Sequence, residues 1–324
     1  MSRARLLLLC PGQGDQHAGM FNLARTNPAA NALADRLTAL APMPSTANRA
    51  GSVADSAPDG LARPSDGDLF ANRVAQPLIV AATLCMWEAI RDFAPQPALV
   101  AGYSIGELSA HSVAGAFMPE QAVVLAAQRA QLMDDCQRAA PGQALLTITG
   151  LPLASASSLA AHHGYHVSIE TGEDTCIAGG PAAQADQLQQ AIAAAGARSK
   201  RLPVEVASHT PYMAGAVAPF AAALSAAASL PMQAPVMAGI DAAPVSDQAR
   251  AVETLSRQLA EKIRWLACMD AAAEAGITVA LELGPGAALS RMLQNRHPHI
   301  NTRSVADFRT LDGIRKWLER ASEG

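Results

Sequence analysis

The chain has 324 residues, half of them hydrophobic, which suffices for one large α/β domain with an insert or for two domains. Its formal charge is −4, with 24 Lys+Arg scattered among 28 Asp+Glu, so no basic face of the kind that nucleic acid requires is evident. The five cysteines stand far apart without a C-x-x-C pair, which excludes the common zinc and redox motifs and suits free thiols in a reducing cytoplasm.

At the start, "MSRARLLLLC" is too short in its apolar part for a signal peptide, and "RLLLLC" reads as a buried strand entering the glycine turn "PGQGDQ". Residues 19–40 are helical in pattern. Residues 42–68, rich in Pro, Ser, Gly, Ala and Asp, read as a long surface loop, partly disordered. Helix resumes near Leu78 in "PLIVAATLCMWEAI", which Glu88 interrupts and which is too short to span a bilayer. No membrane association is expected, and the reading is of a soluble cytoplasmic protein. A strand near Ala98 and a helix after Ser104 complete a βα…αβα order, the pattern of a parallel sheet covered by helices.

Residues 143–206 read as a separate unit: strand "QALLTITG", helix "LASASSLAAHH", a hairpin of "YHVSIET" and "DTCIAGG", helix "AAQADQLQQAIAAAG", strand "SKRLPVEV". That β-α-β-β-α-β order is the ferredoxin-like plan. A helix at about 212–229, the run "VETLSRQLAEKIRWLACMDAAAEAG", a strand "VALELGPG" and closing helices follow. The expected fold class is thus α/β, a hydrolase-like parallel-sheet core of residues 1–142 and 207–324 with a ferredoxin-like insert at 143–206.

Candidate chemistry gathers at strand ends. "GYSIG" places Ser104 between Gly102 and Gly106, either a nucleophile elbow or an ordinary turn. "PGQGDQH" lacks the third glycine of a dinucleotide fingerprint, because His17 occupies it, and no GK dipeptide supports a Walker A loop. The turn could instead aim Gln13, or backbone N–H groups, into a site above the sheet. In "AAQRAQLM", Arg129 lies on an Ala/Leu/Met-rich helix, either snorkelling to the surface or buried to await a carboxylate. In "VASHTPYM", His209 stands where the insert rejoins the main sheet, the end at which such sheets keep ligands. Glu107 and His111, four apart after Ser104, read as packing and capping contacts. His162, His163, His166, His297 and His299 lack the usual ligand spacings, so no metal site is expected. "ELGPGAALSRML" adds a second glycine-lined rim.

Taken together, "PGQGDQ", "GYSIGE", "AAQRAQLM", "ASHTPYM", "RQLAEKIRW" and "ELGPG" resemble, in order and spacing, the malonyl-CoA:acyl-carrier-protein transacylase family over nearly the whole chain. The resemblance implies that Ser104 is the nucleophile, His209 its base, and Arg129 the grip on the substrate carboxylate. It also implies that Gln13 lines the oxyanion site with the backbone N–H of Ile105, and that the Gln258 carbonyl holds the histidine ring. No cofactor is implied. Three departures from the usual pattern stand out: Tyr103 and Ile105 flank the serine, Asp15 replaces a serine, and "ASH" replaces "AFH". A small Ser208 in place of phenylalanine leaves room for an α-methyl group, as in methylmalonyl-specific polyketide domains. "GYSIGE", "LFANRVAQP" and "ASHTP" look most like the epsilon subunit of malonate decarboxylase.

The expected function is therefore malonyl transfer from malonyl-CoA, by a ping-pong Ser–His route, to an acyl carrier protein. The resemblance implies a carrier with a phosphoribosyl-dephospho-CoA arm and possible partnership with other malonate decarboxylase subunits. The alternatives are a malonyl- or methylmalonyl-CoA transacylase of fatty-acid or polyketide synthesis, a serine esterase or thioesterase, and a non-catalytic carrier-docking subunit.

Overall fold

The computed structural model describes residues 4–41 and 68–323. The apolar run after Arg5 forms β1 (Leu6–Cys10), buried along its length. Leu6, Leu8 and Cys10 enter one hydrophobic cluster and Leu7 and Leu9 another. This period of two is that of a strand covered on both faces, each buried leucine contributing roughly 1.5–3 kcal/mol.

In chain order β1 is followed by α1 (Pro28–Leu40), α2 (Asn72–Ile90), β2 (Leu99–Gly102), α3 (Gly106–Val113) and α4 (Pro119–Ala139). Next come β3 (Gln143–Thr149), α5 (Leu153–His162), β4 (His166–Glu170), β5 (Thr175–Pro181), α6 (Ala185–Ala194) and β6 (Arg198–Arg201). The chain closes with α7 (Ala214–Ala226), β7 (Val236–Met237), β8 (Pro244–Val245), α8 (Gln248–Arg257), α9 (Trp265–Glu274), β9 (Val279–Glu282), α10 (Ala288–Arg296), β10 (Asn301–Ser304) and α11 (Leu311–Glu323).

The core sheet has the order β10-β9-β1-β2-β7-β8. All its pairings are parallel except that of the edge strand β8. This is the expected parallel-sheet core. Helix starts at Asn72 rather than near Leu78, and the helical pattern of 19–40 contracts to α1 behind a short turn at Ala24–Thr26. Asn27 fixes that start, its side chain accepting the N–H groups of Ala29 and Ala30 ahead of the permitted proline at Pro28. The loop expected over 42–68 lies, up to residue 67, outside the described residues.

α2 is the one helix among the described residues long and apolar enough to cross a membrane, yet 83% of that window is buried inside the protein. It packs against α1, α3 and α4 as a core helix.

Residues 143–201 carry the β-α-β-β-α-β order in a second, antiparallel sheet, β4-β5-β3-β6, with its own apolar core around Leu146, Tyr165 and Leu188. The two sheets are stitched together beside His209. Ile169 bridges Ile263, with Glu170 N–H donating to the Ile263 carbonyl at 2.9 Å and Ile263 N–H to that of Ser168 at 2.9 Å. Lys262 pairs with Glu170, and Ser168 Oγ donates to the Ser208 carbonyl at 2.7 Å.

α3 is buried on all sides, an unusual setting for a helix bearing a histidine. Neither His111 ring nitrogen has a partner among the described residues. Burial pushes its pKa down to about 3, so the folded protein holds it neutral. As pH falls below about 6.5 the unfolded chain takes up this proton before the native one does, and stability is lost down to about pH 3. His111→Leu should therefore stabilise the protein, by about 1 kcal/mol or more at pH 7.5 from removing unpaired buried polar atoms. The gain should be about 2 kcal/mol larger at pH 5. Denaturant unfolding of both proteins at the two pH values tests this, and a gain that does not grow on acidification would refute it.

Candidate active site

At the C-terminal end of β2 the chain turns through Gly102-Tyr103-Ser104-Ile105-Gly106 into α3. Ser104 sits at φ 56°, in the left-handed region, at a cost of roughly 1–2 kcal/mol for a residue with a side chain. Both glycines are dictated by close approach. A methyl group on Gly102 would strike the Gly106 carbonyl, and one on Gly106 would strike the Cys10 carbonyl at the end of β1. The turn is therefore a tight elbow wedged between two strand ends, with the serine at its apex.

The second glycine loop lies against it. A Cβ built on Gly12 would fall 2.8 Å from the Tyr103 carbonyl oxygen and 3.7 Å from Ser104 Cβ. Gln13, the next residue, is half-buried at this rim. The N–H groups of Gly106, Glu107 and Leu108 turn back onto the carbonyls of Tyr103, Ser104 and Ile105. The Ile105 N–H stands ahead of them at the start of α3, the end of a helix where donors are spare and the field favours negative charge.

His209, also left-handed at φ 60°, presents Nε2 to Ser104 Oγ at 2.8 Å. Its backbone N–H donates to the Leu259 carbonyl at 2.8 Å. Its Nδ1 lies 2.6 Å from the Gln258 carbonyl. A carbonyl only accepts, so Nδ1 carries the proton and Nε2 is free to accept the serine proton. That carbonyl is available because the run "VETLSRQLAEKIRWLACMDAAAEAG" forms two helices, α8 and α9, rather than one, with Gln258 at the end of α8. Carbonyls of a last helical turn lack intrahelical partners, and here the ring fills the vacancy. Burial and then the nearby Arg129 push the His209 pKa down to about 3, so the imidazole is unprotonated at Nε2 at neutral pH.

Arg129, on α4, is 2% exposed, which decides against the snorkelling alternative. Its Nη1 donates to Gln76 Oε1 at 2.7 Å and its Nη2 to Gln258 Oε1 at 3.3 Å. Burial lowers its pKa to about 10, which leaves it charged at neutral pH.

Two further residues join this unit. Gln76, fully buried on α2 beside Pro77, lies within "LFANRVAQP". Glu107 is not the capping contact expected of it. Its fully buried Oε2 accepts Gln258 Nε2 at 2.5 Å and the Gly239 N–H at 2.9 Å. A Cβ at Gly239 would come within 2.9 Å of this carboxylate oxygen, so a larger residue there would push Glu107 off its partners.

Ser104, His209, Gln258 and Arg129 thus form one hydrogen-bonded unit, with Gln13 and Ile105 at its rim. Ser208 is half-buried next to His209, held through its backbone: its N–H donates to the Val206 carbonyl at 2.8 Å. A cleft of about 290 Å³ reaches His209 between the two sheets, lined by Tyr165, His166 and Val167 on one side and Pro211, Ala260 and Lys262 on the other. No group of His, Cys, Asp and Glu among the described residues is placed to hold a metal ion.

Residues 7–308 match the model of the acyl transferase domain. The chain belongs to the acyl transferase domain family. It is 29% identical to the malonyl CoA-acyl carrier protein transacylase of Mycobacterium bovis, over 95% of this chain and 99% of that one. It is 31% identical to the protein of the same name from Mycolicibacterium smegmatis, over 74% and 84% of the two chains. Among solved structures it superposes on the malonyl-CoA:acyl carrier protein transacylase of Xanthomonas oryzae with a TM-score of 0.85, 26% identity and 99% coverage of both chains. Membership makes this chain an acyltransferase, and it gives the elbow, the imidazole and the buried cation a common purpose.

Proposed function

We propose that the protein moves a malonyl group from malonyl-CoA, through an ester on Ser104, to the thiol of an acyl carrier protein. The observation that carries this reading is the charged guanidinium of Arg129, buried in the same hydrogen-bonded unit as Ser104 and His209. An esterase for neutral acyl groups has no use for a buried cation, whereas a substrate ending in a carboxylate does.

His209 Nε2 takes the Ser104 proton as Oγ attacks the thioester carbon. The oxyanion is met by the Ile105 N–H, with a second donor from the Gln13 turn. The carbon–sulfur bond breaks, the departing sulfur collects the proton from Nε2, and CoA leaves as its thiol. A carrier thiol then gives its proton to Nε2 while its sulfur attacks the malonyl ester; the bond from the acyl carbon to Oγ breaks, Oγ takes the proton from Nε2, and Ser104 is regenerated. Gln258 supplies the carbonyl that orients the ring, so the reading is of a Ser–His dyad in a ping-pong transfer.

The transacylase names of the relatives favour an acyl carrier protein as the acceptor, and with it the alternative of an ordinary malonyl transacylase. They lend no support to the malonate decarboxylase role, with its phosphoribosyl-dephospho-CoA arm, that the motif variants suggested. The small Ser208 beside the base favours some acceptance of methylmalonyl groups.

Intact-protein mass spectrometry after exposure to malonyl-CoA, methylmalonyl-CoA or acetyl-CoA tests the reading, followed by addition of a fatty-acid-type carrier bearing its thiol arm. A stable malonyl adduct discharged by that carrier is expected. Rapid release of free malonate without an adduct points to the esterase instead.

A further inference from the structure

One carboxylate lies at the centre of the buried unit yet touches neither the nucleophile nor the base. Glu107 is fully buried, three residues beyond Ser104 on the same elbow-and-helix segment. Its Oε2 fixes the Gln258 amide by accepting Nε2 at 2.5 Å. That leaves Gln258 Oε1 turned to Arg129 Nη2 at 3.3 Å, while the carbonyl of the same residue holds His209 Nδ1 at 2.6 Å. An amide has one donor end and one acceptor end, so the carboxylate dictates which end faces the guanidinium. Were the amide reversed, its NH₂ group would oppose the cation.

The charges also feel one another. Burial raises the Glu107 pKa to about 7 and Arg129 counters the rise, while Glu107 in turn counters the depression of Arg129. Before any substrate enters, Glu107 is the acidic group hydrogen-bonded nearest to this buried cation, one amide away.

From this arrangement we infer that Glu107 is a positioning residue acting through Gln258, its charge balancing Arg129 and its reach aligning His209. The inference rests on the malonyl-transfer reading. The two parts of the role separate by substitution. Glu107→Gln keeps the shape and an acceptor oxygen but removes the charge. Glu107→Asp keeps the charge but shortens the reach, so the hold on Gln258 slackens.

Without the resident negative charge the guanidinium attracts a substrate carboxylate more strongly. Glu107→Gln should lower KM for malonyl-CoA relative to that for acetyl-CoA at least about threefold. Its kcat should fall about tenfold with both, because a neutral acceptor holds the Gln258 amide less firmly. Glu107→Asp should keep the wild-type KM ratio and lose kcat alone. A residue needed only for packing would instead lower stability and depress kcat/KM for both acyl groups alike, with the KM ratio untouched in either variant.

The experiment is steady-state transfer from malonyl-CoA and acetyl-CoA by wild type and the two variants at a pH above the Glu107 pKa of about 7, where the wild-type carboxylate is charged, with unfolding curves for each. An unshifted KM ratio in Glu107→Gln overturns the role of the charge. If that variant does not fold, a shifted ratio in Glu107→Asp overturns it equally. Wild-type acylation by malonyl-CoA is measured first: its absence removes the malonyl reading and this inference with it, whereas normal wild-type acylation confines any failure to Glu107.

Discussion

Ser104→Ala should abolish acylation by malonyl-CoA, by at least about 10³-fold, while leaving the protein folded. The elbow explains both halves of this expectation. Its geometry depends on Gly102 and Gly106, which admit the Gly106 and Cys10 carbonyls, and not on the serine hydroxyl. Alanine meets the same left-handed backbone penalty as serine, so the change adds no strain at φ 56°. The lost group is the oxygen 2.8 Å from His209 Nε2, and among the described residues no other hydroxyl or thiol is hydrogen-bonded to that nitrogen. The thiols of Cys10, Cys85, Cys176 and Cys268 are buried, and burial pushes their pKa values up, away from the reactive thiolate. Cys136, half-buried on α4, is shifted the same way. Intact-mass measurement after malonyl-CoA, alongside a thermal melt, checks the expectation. A malonyl adduct on the alanine variant would dismiss Ser104 as the nucleophile.

The elbow was legible in the sequence because steric demand writes itself as glycine: two backbones pass where a side chain would stand. β1 was legible because a central parallel strand must be apolar on both faces. Other parts left no such mark. β7 is two residues long and β10 reads "NTRS", so neither offers an apolar pattern; both exist through pairing with neighbours in the sheet. The break between α8 and α9 falls inside a run that is helical by composition, and only the fold shows that it frees the Gln258 carbonyl for His209. Arg129 was ambiguous because a helix of alanine and leucine accommodates an arginine at its edge or at its centre. Its burial depends on Gln76 and Gln258, which come from segments 53 residues before and 129 after it. Glu107 was misread for the same reason. Four residues before a histidine it suits a local contact, whereas its partners Gly239 and Gln258 lie 132 and 151 residues away.

Arg129→Ala should separate a malonyl transferase from a generic esterase. The substrate's terminal carboxylate loses its hydration on entering a buried site, a large cost unless a cation meets it. The guanidinium is already desolvated and already aimed, held by the oxygens of Gln76 and Gln258 from two sides. Little reorganisation is left to do when the carboxylate arrives, and two parallel charge-assisted bonds can form. Removing it should cost roughly 2–5 kcal/mol in kcat/KM for malonyl-CoA, as when one partner of a buried charge pair is lost. Arg129→Lys should not be mild, because a single ammonium cannot reach both glutamines and still present two aligned donors to the substrate. Acetyl-CoA brings no carboxylate, so acetyl transfer should survive in Arg129→Ala, where Glu107, with its partner cation gone, takes up a proton more readily. The measurement is kcat/KM for both thioesters in wild type and the two variants. If malonyl and acetyl transfer fall by the same factor, Arg129 holds the helices together and does not read the substrate, and the esterase alternative gains.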